Sequence, residues 1–174
     1  MSVHNTNIEK SINLNIIGTS NIVSVCSLLK IKVIYFSTNY VYPNVPGNYK
    51  EESPVYPVSN YAWSKLGGEC AVQMYKNSLI IRACMTEYPF IHKFAYSNMF
   101  TNFIFHKDFI KILEKVLHVR GILNIGGPAN SVYNFAKKNN PNIKKLKLKP
   151  RNKINMPLNS LMNLAKLNKI LKKK

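Results

Sequence analysis

Tyr61 and Lys65 stand four residues apart, downstream of an apolar run that ends in Ser37-Thr38. On a helix that spacing puts a phenol and an ammonium on one face, about one turn apart. An ammonium beside a phenol favours the phenolate and lowers the tyrosine pKa, so Tyr61 becomes a usable acid or base near neutral pH. Thr38, at the strand end, can hold a substrate oxygen against that phenol. Together the three can move a proton on or off a carbonyl while a nicotinamide moves a hydride. Ten tyrosines and many lysines also make this spacing by accident, and Tyr133 with Lys137 repeats it. That second pair lacks the preceding Ser-Thr strand end and proline-rich loop, so it reads as structural.

Such a site needs a sheet and a helix to carry it. Residues 11–30 place Ile12, Ile16, Ile22, Val23, Val25, Leu28 and Leu29 in a pattern that predicts a helix packed on one face. Residues 32–37 form a short unbroken apolar run, as expected of a parallel strand covered on both sides. A helix feeding a buried strand is the unit of an α/β fold. Pro43, Pro46, Gly47, Pro54 and Pro57 keep residues 43–58 irregular, and loops of that length in compact domains are usually functional. Residues 60–75 read as a helix with Ser59 or Asn60 as its N-cap. Beyond it, 78–84 reads as a buried strand, 103–105 as a short one and 108–118 as an amphipathic helix. Residues 122–125 read as a strand ending at Gly126-Gly127-Pro128, and 131–138 as a helix. Residues 139–155 are expected to be basic and irregular, and 158–174 a last basic helix.

Composition narrows the class. A chain of 174 residues suffices for one well-buried domain, and 46% hydrophobic residues argue for a folded protein. No run approaches the roughly 20 consecutive apolar residues of a membrane span, and the start MSVHNTNIEK lacks the apolar core of a signal peptide. A cytoplasmic location with no membrane partner is the expectation. Cys26, Cys70 and Cys84 are odd in number and far apart, without the tight Cys/His clusters that bind zinc, so no metal is expected and they read as reduced core thiols. The formal charge is +18; all seven acids precede Lys115, and 13 of the 25 basic residues lie from Lys137 onward. A coding bias toward Lys and Asn accounts for this at least as well as a nucleic-acid partner, and no nucleic-acid motif accompanies it.

Several longer stretches point one way. Asn15-Ile-Ile-Gly-Thr19-Ser-Asn21, Phe36-Ser-Thr-Asn-Tyr-Val-Tyr42, Tyr61-Ala-Trp-Ser-Lys-Leu-Gly-Gly-Glu69 and Ile80-Ile-Arg82 follow one another in order. Later come His106-Lys-Asp108, Gly121-Ile-Leu-Asn-Ile-Gly-Gly127, Ser131-Val-Tyr-Asn-Phe-Ala136 and Met156-Pro-Leu-Asn-Ser160. With these the chain resembles the dTDP-4-dehydrorhamnose reductase branch of the extended short-chain dehydrogenases, and the related UDP-4-keto-6-deoxyglucose epimerase/reductases, over almost its whole length. The resemblance implies an α/β fold, an incomplete Rossmann-like doubly wound parallel sheet with a small C-terminal substrate-binding portion. Residues 1–84 would be the partial dinucleotide-binding domain with the active-site helix. Residues 85–174 would be the sugar-nucleotide portion, interleaved with the last strands.

Carried over by resemblance, Tyr61 is the proton donor, and Lys65 holds the nicotinamide ribose of NADP or NAD and tunes Tyr61. Thr38 and Asn39 contact the sugar of a nucleotide-sugar substrate, with Asn39 where the family commonly has Asp. Met85 stands where these reductases often carry a substrate-facing aromatic. The family also opens with a strand, a glycine-rich turn and a helix N-terminus that hold the pyrophosphate, and none of the seven glycines here forms that fingerprint. The strand at 33–36 is then expected at an open sheet edge, a site of association, which implies a homodimer or a separate N-terminal half. Two functions follow: a truncated 4-keto-sugar reductase, or a non-catalytic remnant or sugar-nucleotide-binding subunit.

Overall fold

The structure is a computed structural model that describes residues 4, 6–44, 46–149 and 156–172. Along the chain run α1 (Ile8–Leu28), β1 (Val33–Thr38), α2 (Asn60–Met74), β2 (Ser78–Ala83), β3 (Met85–Thr86), β4 (Phe94–Tyr96), β5 (Phe100–Thr101) and β6 (Ile104–Phe105). Then follow α3 (His106–Val116), β7 (Gly121–Ile125), β8 (Asn130–Ser131), α4 (Val132–Lys137), β9 (Lys144–Leu146) and α5 (Ala165–Lys172).

β1, β2 and β7 form a parallel sheet in the order β1-β2-β7. The register runs from Val33 opposite Ser78 to Thr38 opposite Ala83, and from Leu79 opposite Gly121 to Ala83 opposite Ile125. Parallel neighbours need a crossover; α2 supplies one between β1 and β2, and α3 lies in the one between β2 and β7. Alternation along the strands sends Val33, Tyr35 and Ile80 to one face, where they pack with Val23 of α1 and Val72 of α2. Leu79, Ile81, Leu123 and Ile125 go to the other face, against Phe109 and Val116 of α3 and Leu167 of α5. Helices cover both faces, so the fold is α/β with a doubly wound parallel sheet, as the sequence implied. β1 is its edge strand among the described residues, hydrogen-bonded to β2 alone.

The remaining strands make three small ladders, β3 with β6, β4 with β9 and β5 with β8. Phe90, Ala95, Ala136 and Ile143 form a core of their own beneath them. The long loop after β1 is held by a bridge from Tyr49 to Met162 and by Tyr42 stacked on Tyr49 with centroids 4.9 Å apart.

The structure corrects several expectations. The last helix starts at Ala165, not near 158, because Asn159 and Met162 are drawn into bridges with Phe100 and Tyr49 and Asn163 Oδ1 accepts from Ala165 N at 2.9 Å. Residues 144–146 of the basic stretch are a strand; all three side chains are exposed, so no alternation marked it. Residues 150–155 of that stretch and the last two lysines lie outside the described residues. Cys84 is buried and Cys26 half-buried, but Cys70 is exposed on the outer side of α2 rather than in the core; all three are free. α1 begins three residues early, runs through a π-helical stretch at Ile12–Ile17, and by length and mean hydropathy (1.2) is apolar enough to cross a membrane. Val23 and Cys26 pack over β1 and α2, but Ile12, Ile22, Val25, Leu28 and Leu29, expected on the packed face, are exposed.

Candidate active site

The C-terminal end of β1 delivers Ser37 and Thr38, both buried. Thr38 Oγ1 then accepts from Tyr40 N at 3.2 Å and starts the short 3-10 turn Asn39–Val41. α2 is opened by Ser59, whose hydroxyl accepts from Ala62 N at 3.2 Å, so Tyr61 falls in its first turn and Lys65 one turn later. The side chains of Thr38 and Tyr61 are neighbours in one cavity wall, close enough for the Thr38 hydroxyl to act on the phenol. Lys65 Nζ lies 4.1 Å from the centroid of the Tyr35 ring, and the Tyr35 hydroxyl donates to the Lys65 carbonyl at 3.1 Å. Tyr35 thus holds α2 against β1 while its ring carries the ammonium.

The electrostatics differ from the sequence expectation. Burial raises the pKa of Tyr61, nearby Cys84 adds to the rise, and the Thr38 hydroxyl opposes it. Burial also pushes Lys65 down to about 8, against the field of Glu69. Desolvation is the largest cause of both shifts, and neither group figures among the causes of the other's. The phenol is therefore held protonated, a proton donor at rest rather than a phenolate.

Thr38, Tyr61, Asn39 and Met85 line one cavity of about 550 Å³, together with Ser37 and Cys84. Lys65 is not in its wall. Ligands of open α/β sheets sit beyond the carboxyl ends of the strands, and this cavity has that position. Phe90, Met99 and Phe103 give it an apolar wall, and Glu87, His92, His106, Tyr40 and Tyr96 stand in the lining as ionisable groups beside Tyr61 and Cys84. Phe90, Met99, Phe103, Glu87 and His92 were missed from sequence because they come from irregular segments with no spacing to read, and His106, which opens α3, was quoted without a role. Cys84 was read as a core thiol; it is buried, its thiol pushed up to about 12, yet it borders the cavity next to Tyr61.

Asn39 is fully buried and does structural work. Its Nδ2 donates to Thr101 Oγ1 at 2.9 Å and to Ser160 Oγ and the Ser160 carbonyl at 2.8 and 3.1 Å. A carboxylate has no such donor, so Asn at this position ties the strand end to the C-terminal portion. Asn39 Oδ1 and Ser37 Oγ are both buried without a hydrogen-bond partner, and both residues face the cavity. Tyr133 and Lys137 sit on α4 with Lys137 Nζ 5.8 Å from the ring centroid, packed beside the C-terminal core and outside the cavity wall.

Beneath the site, Glu69 of α2 and Arg82 of β2 pair at 2.7 Å, and Arg82 Nη1 also donates to the Tyr42 hydroxyl and the Glu51 carbonyl. The Tyr42 hydroxyl donates to Asn124 Oδ1 at 2.8 Å, and Asn124 N donates to Glu51 Oε1. Strand, helix and long loop are locked together there. Among the described residues no cluster of side chains could hold a metal ion.

A doubly wound α/β layer with Thr38 at the end of its edge strand, and Tyr61 and Lys65 one turn apart on the helix that follows, is a Rossmann-like fold. Residues 4–106 match the model of the RmlD substrate binding domain, and the chain belongs to that family. No curated protein matches it by sequence. Among solved structures, a hypothetical dTDP-4-dehydrorhamnose reductase from Sulfolobus tokodaii superposes with a TM-score of 0.83 at 22% identity, over 95% of this chain and 68% of that one. A Bacillus anthracis dTDP-4-dehydrorhamnose reductase in complex with NADP gives 0.73 at 21%, over 88% and 63%. A Clostridium acetobutylicum counterpart gives 0.75 at 18%, over 92% and 65%. These likenesses establish the fold, and this chain spans about two-thirds of the length of each.

Proposed function

We propose that the chain is the catalytic and substrate-binding part of an NAD(P)-dependent, cytoplasmic reductase of a nucleotide-linked 4-keto-6-deoxy sugar. The observation that carries this is that Thr38 and Tyr61 face one cavity of about 550 Å³ side by side, a volume suited to a nucleotide-sized ligand. A nicotinamide, when bound, supplies the hydride to the carbonyl carbon. Tyr61 Oη donates its proton to the carbonyl oxygen, and Thr38 fixes that oxygen against the phenol. Burial of Tyr61 keeps the proton in place until the oxygen takes up charge. Asn39 Oδ1 and Ser37 Oγ offer acceptors to sugar hydroxyls, and Met85 packs on the sugar.

The residues present fit one end of the dinucleotide. The Lys65 ammonium makes no hydrogen bond or ion pair with another described residue and lies over the Tyr35 ring, which leaves its donors to ribose hydroxyls. The second function is a sugar-nucleotide-binding subunit without turnover of its own. Titration of the folded chain with NADPH and NADH, followed by nicotinamide fluorescence, separates the two. Saturable micromolar binding supports the reductase; no binding, together with binding of a uridine- or thymidine-diphosphate sugar, supports the subunit.

A further inference from the structure

The three strands of the sheet start side by side, with Val33 opposite Ser78 and Leu79 opposite Gly121. The turns that feed them, residues 29–32, 75–77 and 117–120, therefore share the amino end of the sheet, while the Tyr61 cavity lies at its carboxyl end. Asn77 ties these turns together. Its Nδ2 donates to the Lys30 carbonyl at 3.5 Å and its Oδ1 accepts from Arg120 Nε at 3.1 Å, while Lys32 Nζ donates to the Val119 carbonyl at 2.7 Å. The Tyr75 hydroxyl and the Ile31 amide both donate to the Cys26 carbonyl, which brings the end of α2 beside the end of α1.

This end of the molecule is both apolar and basic. Met74, Leu28, Leu29 and Ile31 are 86, 80, 63 and 51% exposed, and large aliphatic side chains gathered in the open mark an interaction site. The patch continues up α1 through Ile22 and Val25, which share a helical face with Leu29 and are exposed as well. Lys30, Lys76 and Arg120 stand exposed around the tips, with Lys32 half-buried among them. None of the four cations is in an ion pair among the described residues, and residues 28–32, 74–78 and 117–121 include no acid. Burial, and then the charge of Arg120, lower the pKa of Lys32, as expected where cations collect without a counter-charge.

The chemistry selects the occupant. A second copy would bring the same cations against these, on a chain of formal charge +18, and like charges at an interface repel. Single-stranded nucleic acid is held by cations interleaved with aromatic rings that stack on bases, whereas the exposed apolar tips here are aliphatic. Aliphatic tips ringed by ammonium and guanidinium groups match a surface that is anionic outside and apolar just beneath, the boundary between headgroups and acyl chains of a bilayer.

We propose that the amino end of the sheet, with Leu28, Leu29, Ile31 and Met74 among Lys30, Lys76 and Arg120, is a peripheral docking surface for an anionic lipid membrane. The chain lies on the membrane and does not span it, and the cavity, at the other end of the strands, stays open to water. The docking is independent of the reductase reading.

The test is co-sedimentation of the full chain with vesicles of phosphatidylcholine alone, and of phosphatidylcholine with about a third phosphatidylserine, at low and high salt. The chain is expected to sediment with the anionic vesicles, less so at high salt, and to stay in solution with the neutral ones. K30Q/K76Q weakens binding about tenfold or more, since each lysine near such a surface is worth about fivefold. L28S/M74S weakens it severalfold at either salt. All four positions are exposed, so circular dichroism and thermal unfolding stay unchanged. K147Q/K149Q makes the same charge change at exposed positions of the C-terminal portion and leaves binding within about twofold. An equal loss in that control would mean adsorption by net charge alone and overturn the proposal, as would equal binding to neutral vesicles or none to anionic ones. A dimer in light scattering that L28S/M74S dissolves assigns the face to a second copy. Binding of single-stranded DNA that K30Q/K76Q weakens, without vesicle binding, assigns it to nucleic acid, and either result overturns the proposal.

Discussion

Arg82 Nη2 donates to Glu69 Oε2 at 2.7 Å while the two side chains are 4% and 1% exposed. The pair links β2 to the helix that carries Tyr61 and Lys65, and the Tyr42 hydroxyl and the Glu51 carbonyl accept from Arg82 Nη1. Removing one partner of a buried pair strands the other charge, at a cost of about 3–5 kcal/mol. Glu69→Ala and Arg82→Ala are each expected to destabilise the chain by that amount in urea unfolding. Glu69→Leu/Arg82→Met removes both charges and is expected to cost much less than the sum. A double variant as unstable as the sum would show that the pair does not act as a unit.

Gly68 lies on α2 where α1 crosses it. A Cβ there would meet the Asn15 carbonyl at 2.5 Å and the Tyr35 hydroxyl even closer. The π-helical turn of α1 and this glycine share the tightest approach between the two helices. Gly68→Ala is expected to cost about 1–3 kcal/mol by overpacking, despite alanine's better helix propensity. Chemical denaturation measures it; a variant as stable as the parent would mean that α1 shifts freely.

How much of this was legible in the sequence depends on which force set each feature. The runs at 33–38 and 78–83 are apolar because both faces of the sheet are covered, so strand type and burial could be read directly. Ser59, Thr38, Tyr61 and Lys65 could be found because cap, strand end and helical spacing are local. Met85 and Asn39 were placed only through resemblance, and burial of Asn39 by Thr101 and Ser160 depends on contacts 62 and 121 residues away. The aromatic wall at Phe90 and Phe103 and the strand at 144–146 arise from tertiary pairing with no local period. The direction of the Tyr61 shift was misjudged for the same reason, because desolvation depends on the whole fold.

Tyr61→Phe keeps the ring and removes the proton donor. It is expected to leave nucleotide-sugar binding within about twofold and, in the assembled enzyme, to lower kcat by about 10²–10⁴-fold. Thr38→Val should act in the same direction and more weakly, since it removes one hydrogen bond to the reacting oxygen. Steady-state kinetics with isothermal titration checks both, and unchanged kcat in Tyr61→Phe would remove Tyr61 from the proton-donor role.

Lys65 gives a prediction about pH. Its pKa is lowered by burial from its ordinary value to about 8, so between pH 8 and the unfolded-state value of about 10.4 the unfolded chain binds more protons at this site than the folded one. Stability contributed by this group therefore rises as pH increases through that window, and below pH 8 the folded state carries a buried ammonium at a cost. Lys65→Met removes the charge and keeps the stem that lies over Tyr35. It is expected to raise the unfolding temperature at pH 7, with the gain over the parent shrinking steadily from pH 8 to pH 10. The same variant should lose the ribose contact and with it nicotinamide affinity. Thermal unfolding at four or five pH values decides the first part. A gain that does not change with pH would mean that Lys65 is uncharged, or well solvated, in the folded chain at neutral pH.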